Sequence, residues 1–486
     1  MRFVNLPKAH VFDSPEEPAA QSYVASCPSC SRLRYRSVSG WFAFVAALAI
    51  FTATSANFLL AQEPEGRADQ IVQSYVDDNL FMGAVLVAKE GTIILDKGYG
   101  YANLEWQIPN SSVTKFRLGS ITKQFTAASI LLLEDRGKLK TDDLVKKYLP
   151  DAPAAWDKIT IYNLLTHTSG IPAFTSFPDY TTSKVMPITP AQLVAKFRDK
   201  PLDFQPGEKF QYSNSGYALL GYLLEKVSGL SYQEFVQENI FKPLAMANSG
   251  YDSHAAILPH RASGYTSGPI GPENADYLDM SVPFAAGGLY STTGDLLRWE
   301  QGLFGGKVLS DASLRKMITP FKDEYACGLT AKTVNGHTII EHSGDIDGFD
   351  TDLAFYPDDK LIIVVLSNLN GSAPRVITGK IASAIHGEKV ILLSDMKVVH
   401  VSRDILAKYV GTYQLAPDFN LAISLEGDQL IAQSGRSRYS LQAESETRFF
   451  VKDPEVPEIE FTRNPKGEAT SLTIHQGGHD MSGPRK

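Results

Sequence analysis

The sequence predicts an α+β protein, in which helices flank an antiparallel sheet and a small all-β domain follows. Apolar, β-branched segments occur near both ends of residues 66–390, and mostly helical segments lie between them. From residue 405 to residue 486, short strand-like runs separated by turn residues replace the helical pattern. Strands at both ends of one region are expected to pair in a single sheet, while the helices between them form a separate lobe.

The beginning of this region predicts a helix and a hairpin. Arg67–Val76 has the apolar spacing of an amphipathic helix. Gly83–Ala88 and Thr92–Tyr99 are apolar and rich in β-branched residues, which is typical of strands. The turn residues Lys89-Glu90-Gly91 join the two strands.

Periodicity predicts the later elements as well. Helices are expected at Thr141–Tyr148, Ile161–Thr166, Pro190–Phe197, Gly216–Val227 and Tyr232–Ile240. Strands are expected at Cys327–Thr333, His337–His342, Asp350–Tyr356 and Leu361–Leu366. A last helix at Pro374–Ile385 closes this part of the chain.

The N-terminal residues 1–62 read as an extension that carries an export signal or a membrane anchor. Arg32, Arg34 and Arg36 precede an apolar stretch from Trp41 to Phe51, and small residues follow that stretch. A basic flank, a short apolar core and small residues predict a cleaved signal peptide, although the whole stretch approaches the length of a membrane span. Either interpretation predicts an extracytoplasmic protein, periplasmic or secreted, that contacts a membrane only if this segment stays uncleaved.

Composition excludes several other classes. The apolar fraction is 43% and the charged fraction is 21%, as in globular proteins. A net charge of −8 without basic clusters argues against a nucleic-acid partner. Cys27 and Cys30 supply only two of the four ligands of a structural zinc site, and Cys327 is expected to be a small buried apolar residue.

A buried helix is predicted around Ser120 and Lys123. Ser120 precedes an apolar run from Phe125 to Leu133, and Gly137 marks the C-terminal end of the helix. Ser120 then lies in the first turn, where free N–H groups favour developing negative charge. Lys123 lies one turn further along the same face. A desolvated lysine can accept the proton of a serine hydroxyl and so make that serine a nucleophile.

The Ser-x-x-Lys spacing is not specific by itself, because it recurs at Ser112, Ser313 and Ser394. Only Ser120 places the lysine in an otherwise apolar helix, which is unfavourable unless the charge has a partner or a function. The alternative is a helix-capping serine followed by a lysine whose charged end reaches solvent.

Two further motifs follow in the chain, Tyr212-Ser213-Asn214 and His342-Ser343-Gly344. With Ser120-Ile-Thr-Lys123 they resemble the three signatures of serine β-lactamases and penicillin-binding proteins, in the Tyr-x-Asn form of class C enzymes and related esterases and peptidases. Other segments similar to this family are Phe116–Lys123, Leu164–Gly170 and Gly287–Thr293. The resemblance covers roughly residues 66–390 and implies the family's fold and an acyl-serine intermediate.

Tyr212 and Asn214 are the candidate residues of the second motif. A phenol is mostly neutral at pH 7, but a nearby lysine cation would stabilise its phenolate. Tyr212 is therefore expected to share or relay the proton of Ser120, and Asn214 to hydrogen-bond an amide or ester oxygen. The alternative is a loop tyrosine that only tethers the following helix.

The third motif, His342-Ser343-Gly344, is predicted at the end of a strand, where its backbone would face substrate. The resemblance implies that the N–H of Asp345 joins that of Ser120 in an oxyanion hole. β-Lactamases have Lys-Thr-Gly here, so a largely neutral His342 replaces a cation. Asp345, Asp347 and Asp350 follow closely, and we expect them to disfavour carboxylate-bearing substrates if they face the site.

Other histidines do not predict a metal site or cofactor. His167 is expected to brace a loop by hydrogen bonds. His254, His260 and His337 lack metal-ligand spacing, and the chain contains no His-Glu-x-x-His. Gly-x-Ser-x-Gly is also absent from the sequence, which argues against an α/β-hydrolase.

Residues 405–486 predict a small barrel or curled sheet. Gly427-Asp428 and Pro465-Lys466-Gly467 are turns between its strands. The segment Tyr409-Val-Gly-Thr-Tyr413 resembles the opening of lipocalin-like modules appended to bacterial hydrolases of this family. Packing, oligomerisation and a place at the rim of the site remain open as its role.

The leading hypothesis is an exported, metal-free serine hydrolase that acts on small esters or D-amino-acid peptides and amides. A β-lactamase or a D-alanyl-D-alanine carboxypeptidase is the alternative, and a non-catalytic penicillin-binding sensor is the alternative of another class. Its partner would be a small-molecule or peptide substrate, and the oligomeric state is open.

Overall fold

A computed structural model describes residues 63–486, except 269–270, 396, 417–418, 435–436, 452–457 and 477–478. The predicted signal peptide or anchor, Cys27 and Cys30 lie outside the described residues. Within the described part of the chain, no helix combines the length and the apolar character that a membrane crossing requires.

Helices are distributed along the whole region before residue 390 and recur once after it. They are α1 (Glu63–Asp77), α2 (Thr122–Asp135), α3 (Ile161–Leu165), α4 (Tyr180–Ser183), α5 (Pro190–Arg198), α6 (Asn214–Ser228), α7 (Tyr232–Val236), α8 (Phe284–Gly287), α9 (Thr293–Phe304), α10 (Asp311–Ile318), α11 (Ala373–Ile385) and α12 (Arg403–Leu406).

Strands concentrate at the two ends of the region before residue 390 and in the C-terminal segment. They are β1 (Gly83–Lys89), β2 (Thr92–Tyr99), β3 (Tyr101–Asn103), β4 (Ile108–Pro109), β5 (Phe116–Arg117), β6 (Gly250–Tyr251), β7 (Tyr265–Ser267), β8 (Pro272–Asn274), β9 (Leu289–Ser291), β10 (Thr330–Val334), β11 (His337–Ile346), β12 (Phe349–Tyr356), β13 (Leu361–Ser367), β14 (Gly411–Ala416), β15 (Phe419–Glu426), β16 (Gln429–Ser434), β17 (Ser437–Ala443), β18 (Arg448–Val451), β19 (Glu458–Arg463), β20 (Ala469–Gln476) and β21 (His479–Pro484).

The central sheet is antiparallel and has the strand order β10-β11-β12-β13-β1-β2. β1 pairs with β13, with Gly83 opposite Ser367, so strands from the two ends of the region lie side by side. The predicted α+β fold with one sheet built from both ends is therefore confirmed.

Successive residues of β1 point to two different cores, which places helices on both faces of the sheet. Val85 and Val87 pack with α1 and α11, whereas Ala84 and Leu86 pack with the helical lobe. α2 lies in the middle of that lobe, since every side chain from 122 to 133 is buried. Its N-terminal end therefore lies where the lobe meets the sheet.

One predicted helix was wrong. Thr141–Tyr148 forms only a 3-10 turn at Val145–Lys147. Leu144 instead has an extended backbone and bridges to Thr160, while the N–H of Val145 donates to the carbonyl of Ile159. These contacts use the backbone groups that a helix at this position would need.

Two other differences concern a strand that ends later than expected and a helix that was not expected. β11 continues to Ile346, so His342-Ser343-Gly344 lies inside the strand and not at its end. The turn comes later because Gly348, with φ +83°, takes the left-handed conformation that the tight connection to β12 requires. α9 was not predicted, and it begins where the hydroxyl of Thr292 accepts a hydrogen bond from the N–H of Asp295.

The C-terminal segment is the predicted all-β domain. Its strands β14 to β21 form one antiparallel sheet in chain order. Tyr413 bridges to Arg485, and the N–H of Lys486 donates to the carbonyl of Thr412, so the chain end meets the first strand. Buried side chains such as Tyr409 and Phe461, stacked at 4.3 Å between ring centroids, fill the interior.

Candidate active site

The nucleophile candidate Ser120 lies in a short 3-10 turn, Gly119–Ile121, that leads directly into α2. Gly119 has φ +52°, and a Cβ at this position would lie only 2.9 Å from the backbone nitrogen of Asp345. Glycine is therefore needed both for the conformation and for the close approach of this turn to β11. The approach brings the backbone of the first motif next to that of the third.

Lys123 is completely buried one turn after Ser120. Its Nζ lies 2.9 Å from Ser120 Oγ, 2.9 Å from Asn214 Oδ1 and 2.8 Å from the carbonyl oxygen of Ala286. Burial lowers the pKa of the amine well below its ordinary value. A neutral amine has two N–H groups and one lone pair. Because an amide oxygen and a carbonyl oxygen can only accept, the lone pair is left for the hydroxyl of Ser120.

Tyr212 covers this group from the solvent side. Its side chain is 37% exposed, and its ring centroid lies 4.7 Å from Lys123 Nζ. Desolvation raises the pKa of the phenol, a hydrogen bond with Ser120 opposes the rise, and the charge of Asp345 adds to it. The hypothesis that a lysine cation stabilises a phenolate is therefore not supported, because the amine is the more readily neutral group. Tyr212 is better suited to donate a proton than to remove one.

Asn214 is the first residue of α6, and its side chain links this helix to Lys123 and to Thr175. Its Oδ1 accepts from Lys123, and its Nδ2 donates to Thr175 Oγ1 at 3.3 Å. The sequence reasoning missed Thr175 and the carbonyl of Ala286. A backbone acceptor such as Ala286 has no residue-type signal that could reveal it.

The three residues of the third motif have different surroundings: His342 is buried, Ser343 has a partner in α11, and Gly344 packs against the turn before α2. His342 is buried, and that burial lowers its pKa to about 3. Ser343 Oγ accepts a hydrogen bond of 2.7 Å from Arg375, on the side of the sheet that faces α11. At Gly344 any Cβ would lie 1.9 Å from the carbonyl oxygen of Leu118, so only glycine fits.

A cleft of about 310 Å³ opens beside Ser120. Of the residues predicted from sequence, Ser120, Asn214 and Asp345 line it, whereas Lys123, Tyr212, His342, Ser343 and Gly344 are not among its lining residues. Its other walls mix apolar and polar residues: Phe174, Tyr180, Leu278, Pro283, Ala286, Gly287 and Ile346, together with Thr175, Asp347 and Asn370. The cleft therefore has room for a small substrate group beside the hydroxyl, with both apolar and polar surface to contact it.

The aspartates of the third motif differ in their surroundings. Asp347 pairs with Lys184. Asp350 accepts hydrogen bonds from Asn370 at 3.0 Å and from the N–H of Gly371 at 2.7 Å, and burial raises its pKa to about 7.

Asp345 is exposed, and burial of part of the carboxyl together with the charge of Asp347 raises its pKa. Among the described residues, its carboxylate has no hydrogen-bond or ion-pair partner. Asp345 is therefore the anion that remains available at the cleft.

Elsewhere, His167 and Cys327 agree with their predictions. His167 accepts a hydrogen bond of 3.1 Å from the N–H of Ser213, which confirms that it braces a loop. Cys327 is buried. Within the described ranges, no group of three or more histidine, cysteine, aspartate or glutamate side chains is arranged to hold a metal.

The fold and the three motifs define a protein of the β-lactamase and penicillin-binding class. Residues 68–387 match the family described as Beta-lactamase, and the chain belongs to that family. Residues 395–485 match a domain of unknown function, DUF3471, so the lipocalin-like relationship stays a prediction.

Among individual proteins, the chain is 28% identical to penicillin-binding protein 4* of Bacillus subtilis, covering 88% of this chain and 100% of that protein. The octameric penicillin-binding protein homologue from Pyrococcus abyssi superposes with a TM-score of 0.62 at 26% identity, covering 86% of this chain and 99% of that one. A D-stereospecific amidohydrolase from Streptomyces sp. gives a TM-score of 0.57 at 25% identity, covering 65% of this chain and 97% of that one.

Proposed function

We propose that this protein is a serine hydrolase that forms an acyl-enzyme at Ser120. The observation that carries the proposal is the buried Lys123, whose Nζ contacts the serine hydroxyl and two acceptor-only partners. In the neutral amine, these partners leave the lone pair for the hydroxyl. Burying a lysine in this way reduces stability. Its presence here therefore indicates that the neutral amine has a function. The similarity to penicillin-binding proteins and to an amidohydrolase supports the same reaction class.

In the first half-reaction, Lys123 accepts the hydroxyl proton while Ser120 Oγ bonds to the carbonyl carbon of the substrate. The carbonyl oxygen becomes negative, and the N–H groups of Ser120 and Asp345 are the proposed donors to it. Tyr212 gives its proton to the leaving amine or alkoxide as that bond breaks, and the ammonium of Lys123 returns a proton to the phenol oxygen.

In the second half-reaction, water attacks the acyl ester and releases the acid. The proton that the water loses passes through Lys123 and Tyr212 to Ser120 Oγ, which restores the starting state. A neutral lysine and a protonated tyrosine are the states that the burial of each group favours.

We propose small esters and D-amino-acid amides or peptides as the substrates. The apolar part of the cleft wall, which includes Phe174, Leu278 and Ile346, fits a hydrophobic side chain of the acyl group, and the relative from Streptomyces is named as D-stereospecific. Asp345 leaves a negative charge near Ser120, which favours a neutral or amine-bearing substrate over a carboxylate. His342 supplies no compensating cation, since its imidazole is buried and neutral.

We also propose that the hydrolase acts outside the cytoplasm, as the basic and apolar pattern of residues 1–62 suggests. Expression of the whole chain, cell fractionation and N-terminal sequencing of the recovered protein would test this. Recovery of an uncleaved chain from the cytoplasmic fraction alone would contradict it.

The reaction class is tested by treatment with a fluorophosphonate probe, followed by mapping of the modified peptide. We expect the adduct on Ser120, and we expect Ser120→Ala to lose both the adduct and hydrolysis, about 10⁴-fold or more. Ser313→Ala is the matched control. Ser313 begins another Ser-x-x-Lys sequence, but its hydroxyl donates to Asp135. An adduct on a different serine, or an active Ser120→Ala protein, would refute the assignment.

A further inference from the structure

Three buried side chains form a connected group behind the cleft. His167 lies in the loop after α3, Tyr325 lies before β10, and His342 lies in β11. The hydroxyl of Tyr325 lies 3.2 Å from His167 Nε2 and 3.1 Å from His342 Nε2. The tyrosine therefore joins two imidazoles that are far apart in sequence.

The backbone at each end of this group fixes the direction of every hydrogen bond. The N–H of Ser213 can only donate, so His167 Nδ1 accepts it at 3.1 Å, and the single proton of that neutral ring is on Nε2. His167 Nε2 then donates to Tyr325, and Tyr325 donates to His342 Nε2. The remaining proton of His342, on Nδ1, is 2.6 Å from the carbonyl oxygen of Ser343, which can only accept.

The two ends of this chain of hydrogen bonds, Ser213 and Ser343, lie in two different catalytic motifs. Ser213 stands between Tyr212 and Asn214, and Ser343 lies in the third motif. The ring of Tyr212 also rests on that of His167, with 4.3 Å between centroids. His167 has φ +53°, an uncommon conformation for a residue with a side chain, and its carbonyl accepts from the N–H of Gln211. Backbone and side chain of His167 thus both hold the loop that carries Tyr212.

The segment that carries Tyr325 also touches the first motif. Gly328 has φ +78°, and a Cβ there would lie 2.5 Å from the carbonyl oxygen of Lys123. The turn after Tyr325 therefore rests on the backbone of the lysine that contacts the nucleophile.

We propose that Tyr325 is a positioning residue, whose hydroxyl closes a directed chain of neutral hydrogen bonds that sets the loop of Tyr212 against β11. This inference rests on the proposed function, because the positioned groups are those of the acylation step. It goes beyond loop bracing by His167, since it assigns one tautomer to each imidazole and makes His342 a link of the chain and not a proton donor to substrate.

This hydrogen-bonded group stays neutral mainly because it is buried. Burial lowers the pKa of His342, any charge on Lys123 in α2 or on Arg375 in α11 would lower it further, and the hydrogen bond to the carbonyl of Ser343 opposes the shift. Burial also lowers the pKa of His167, and a charge on Lys123 or on His342 would act in the same direction. Burial raises the pKa of Tyr325, and its neighbours Tyr217, Tyr212 and Cys327 act in the same direction, so the phenol keeps its proton.

The test of the positioning role is Tyr325→Phe, which removes the hydroxyl and keeps the ring. We expect the rate of Ser120 acylation by the fluorophosphonate to fall about tenfold or more, while KM for a hydrolysed ester changes little. The acid limb of the pH profile should move to higher pH, because His342 Nε2 loses its donor and can then bind a proton. Tyr232→Phe is the matched control. Tyr232 is also a buried tyrosine, and its hydroxyl lies 2.8 Å from that of Thr126 in α2, the helix that carries Lys123.

Equal acylation rates and pH profiles for Tyr325→Phe and Tyr232→Phe would overturn the proposal. A second comparison uses His342→Gln, whose amide can still accept from Tyr325 and donate to Ser343, and His342→Leu, which can do neither. The proposal expects His342→Gln to retain clearly more acylation than His342→Leu. Equal losses in the two variants would contradict it.

A readout independent of activity separates this inference from the proposed function. In protein labelled with ¹⁵N-histidine, NMR should find the proton of His167 on Nε2 and that of His342 on Nδ1, down to about pH 5 for the folded protein. The same tautomer on both rings, or a charged His342 at neutral pH, would refute the chain even in an active enzyme. An ordered chain in a protein that no probe acylates would instead refute the proposed function.

Discussion

At the residue scale, the main feature of the site is a lysine that is buried away from solvent. Lys123 is completely buried and bonds to a hydroxyl, an amide oxygen and a carbonyl oxygen. Among the residues that the structure describes, no carboxylate forms an ion pair with it. A partner carboxylate would stabilise the ammonium form, whereas these neutral partners leave desolvation to dominate the pKa.

The proton relay predicts non-additive losses. Lys123→Ala and Tyr212→Phe should each slow acylation by about 10²-fold or more, the range of general acid–base catalysis. The double variant should be little worse than the more damaged single variant, because both residues serve one proton transfer. Single-turnover kinetics with the same ester measures this. Parental rates in both single variants, with Ser120 still essential, would contradict the relay.

The lowered pKa of Lys123 also predicts how stability depends on pH. In the interval between its folded pKa and its ordinary value of 10.5, the unfolded chain holds a proton that the folded protein lacks. Stability therefore rises with pH across that interval, and the contribution is lost as pH falls. We expect the parent to gain free energy of unfolding relative to Lys123→Met between about pH 7 and pH 10. Denaturant titrations at both pH values measure the difference, and a constant difference would contradict the shifted pKa.

At the element scale, the three motifs meet because backbones approach more closely than side chains would allow. The turn before α2 lies against β11 only since Gly119 and Gly344 lack a Cβ. A periodicity argument predicts helices and strands, but it does not measure the distance between them. The sequence thus predicted the elements that carry Ser120 and His342, while the closeness of Gly344 to the carbonyl of Leu118 required the structure.

Gly344→Ala tests this packing. The new Cβ would overlap the carbonyl oxygen of Leu118, at 1.9 Å, so β11 or the turn before α2 must move. We expect a loss of roughly 1–3 kcal/mol in stability and a larger proportional loss in acylation rate. Gly379→Ala is the control, since a Cβ in that helical position meets nothing within 4 Å and should stabilise by about 0.5–1 kcal/mol. Unfolding and acylation are measured for both, and equal behaviour would refute the packing argument.

Prediction from sequence failed mainly where tertiary contacts decide. The sequence around Leu144 predicted a helix, but the backbone of Leu144 forms a β-bridge with Thr160 instead. For Ser343, substrate binding stays a prediction, and the sequence did not reveal that its hydroxyl lies on the side of β11 that faces α11 and bonds to Arg375. The phenolate hypothesis for Tyr212 assumed a charged lysine, and the burial of Lys123 removes that assumption. In each case the sequence showed the residue, and only the fold showed its neighbours.

At the scale of the whole molecule, we expect the charge around the cleft to influence which substrates approach Ser120. Lys184 neutralises Asp347, and Asp350 is held by Asn370 and Gly371. Asp345 alone of these three aspartates keeps an exposed carboxylate that has no partner among the described residues.

Asp345 should therefore discriminate between substrates by charge. We expect kcat/KM to be higher for a D-amino-acid amide with a free amine than for its N-acetyl derivative, and lowest for a penicillin. An exposed charge pair contributes roughly 1 kcal/mol, so Asp345→Asn should reduce the preference for the free amine about fivefold, and added salt should have the same direction of effect. Asp358→Asn is the control, an exposed aspartate in the turn between β12 and β13. The N-acetyl amide serves as an internal reference, because its hydrolysis reports the chemistry at Ser120 without an amine charge. A penicillin preferred over both amides would overturn the charge argument and favour a β-lactamase, and an unchanged preference in Asp345→Asn would show that another group recognises the amine.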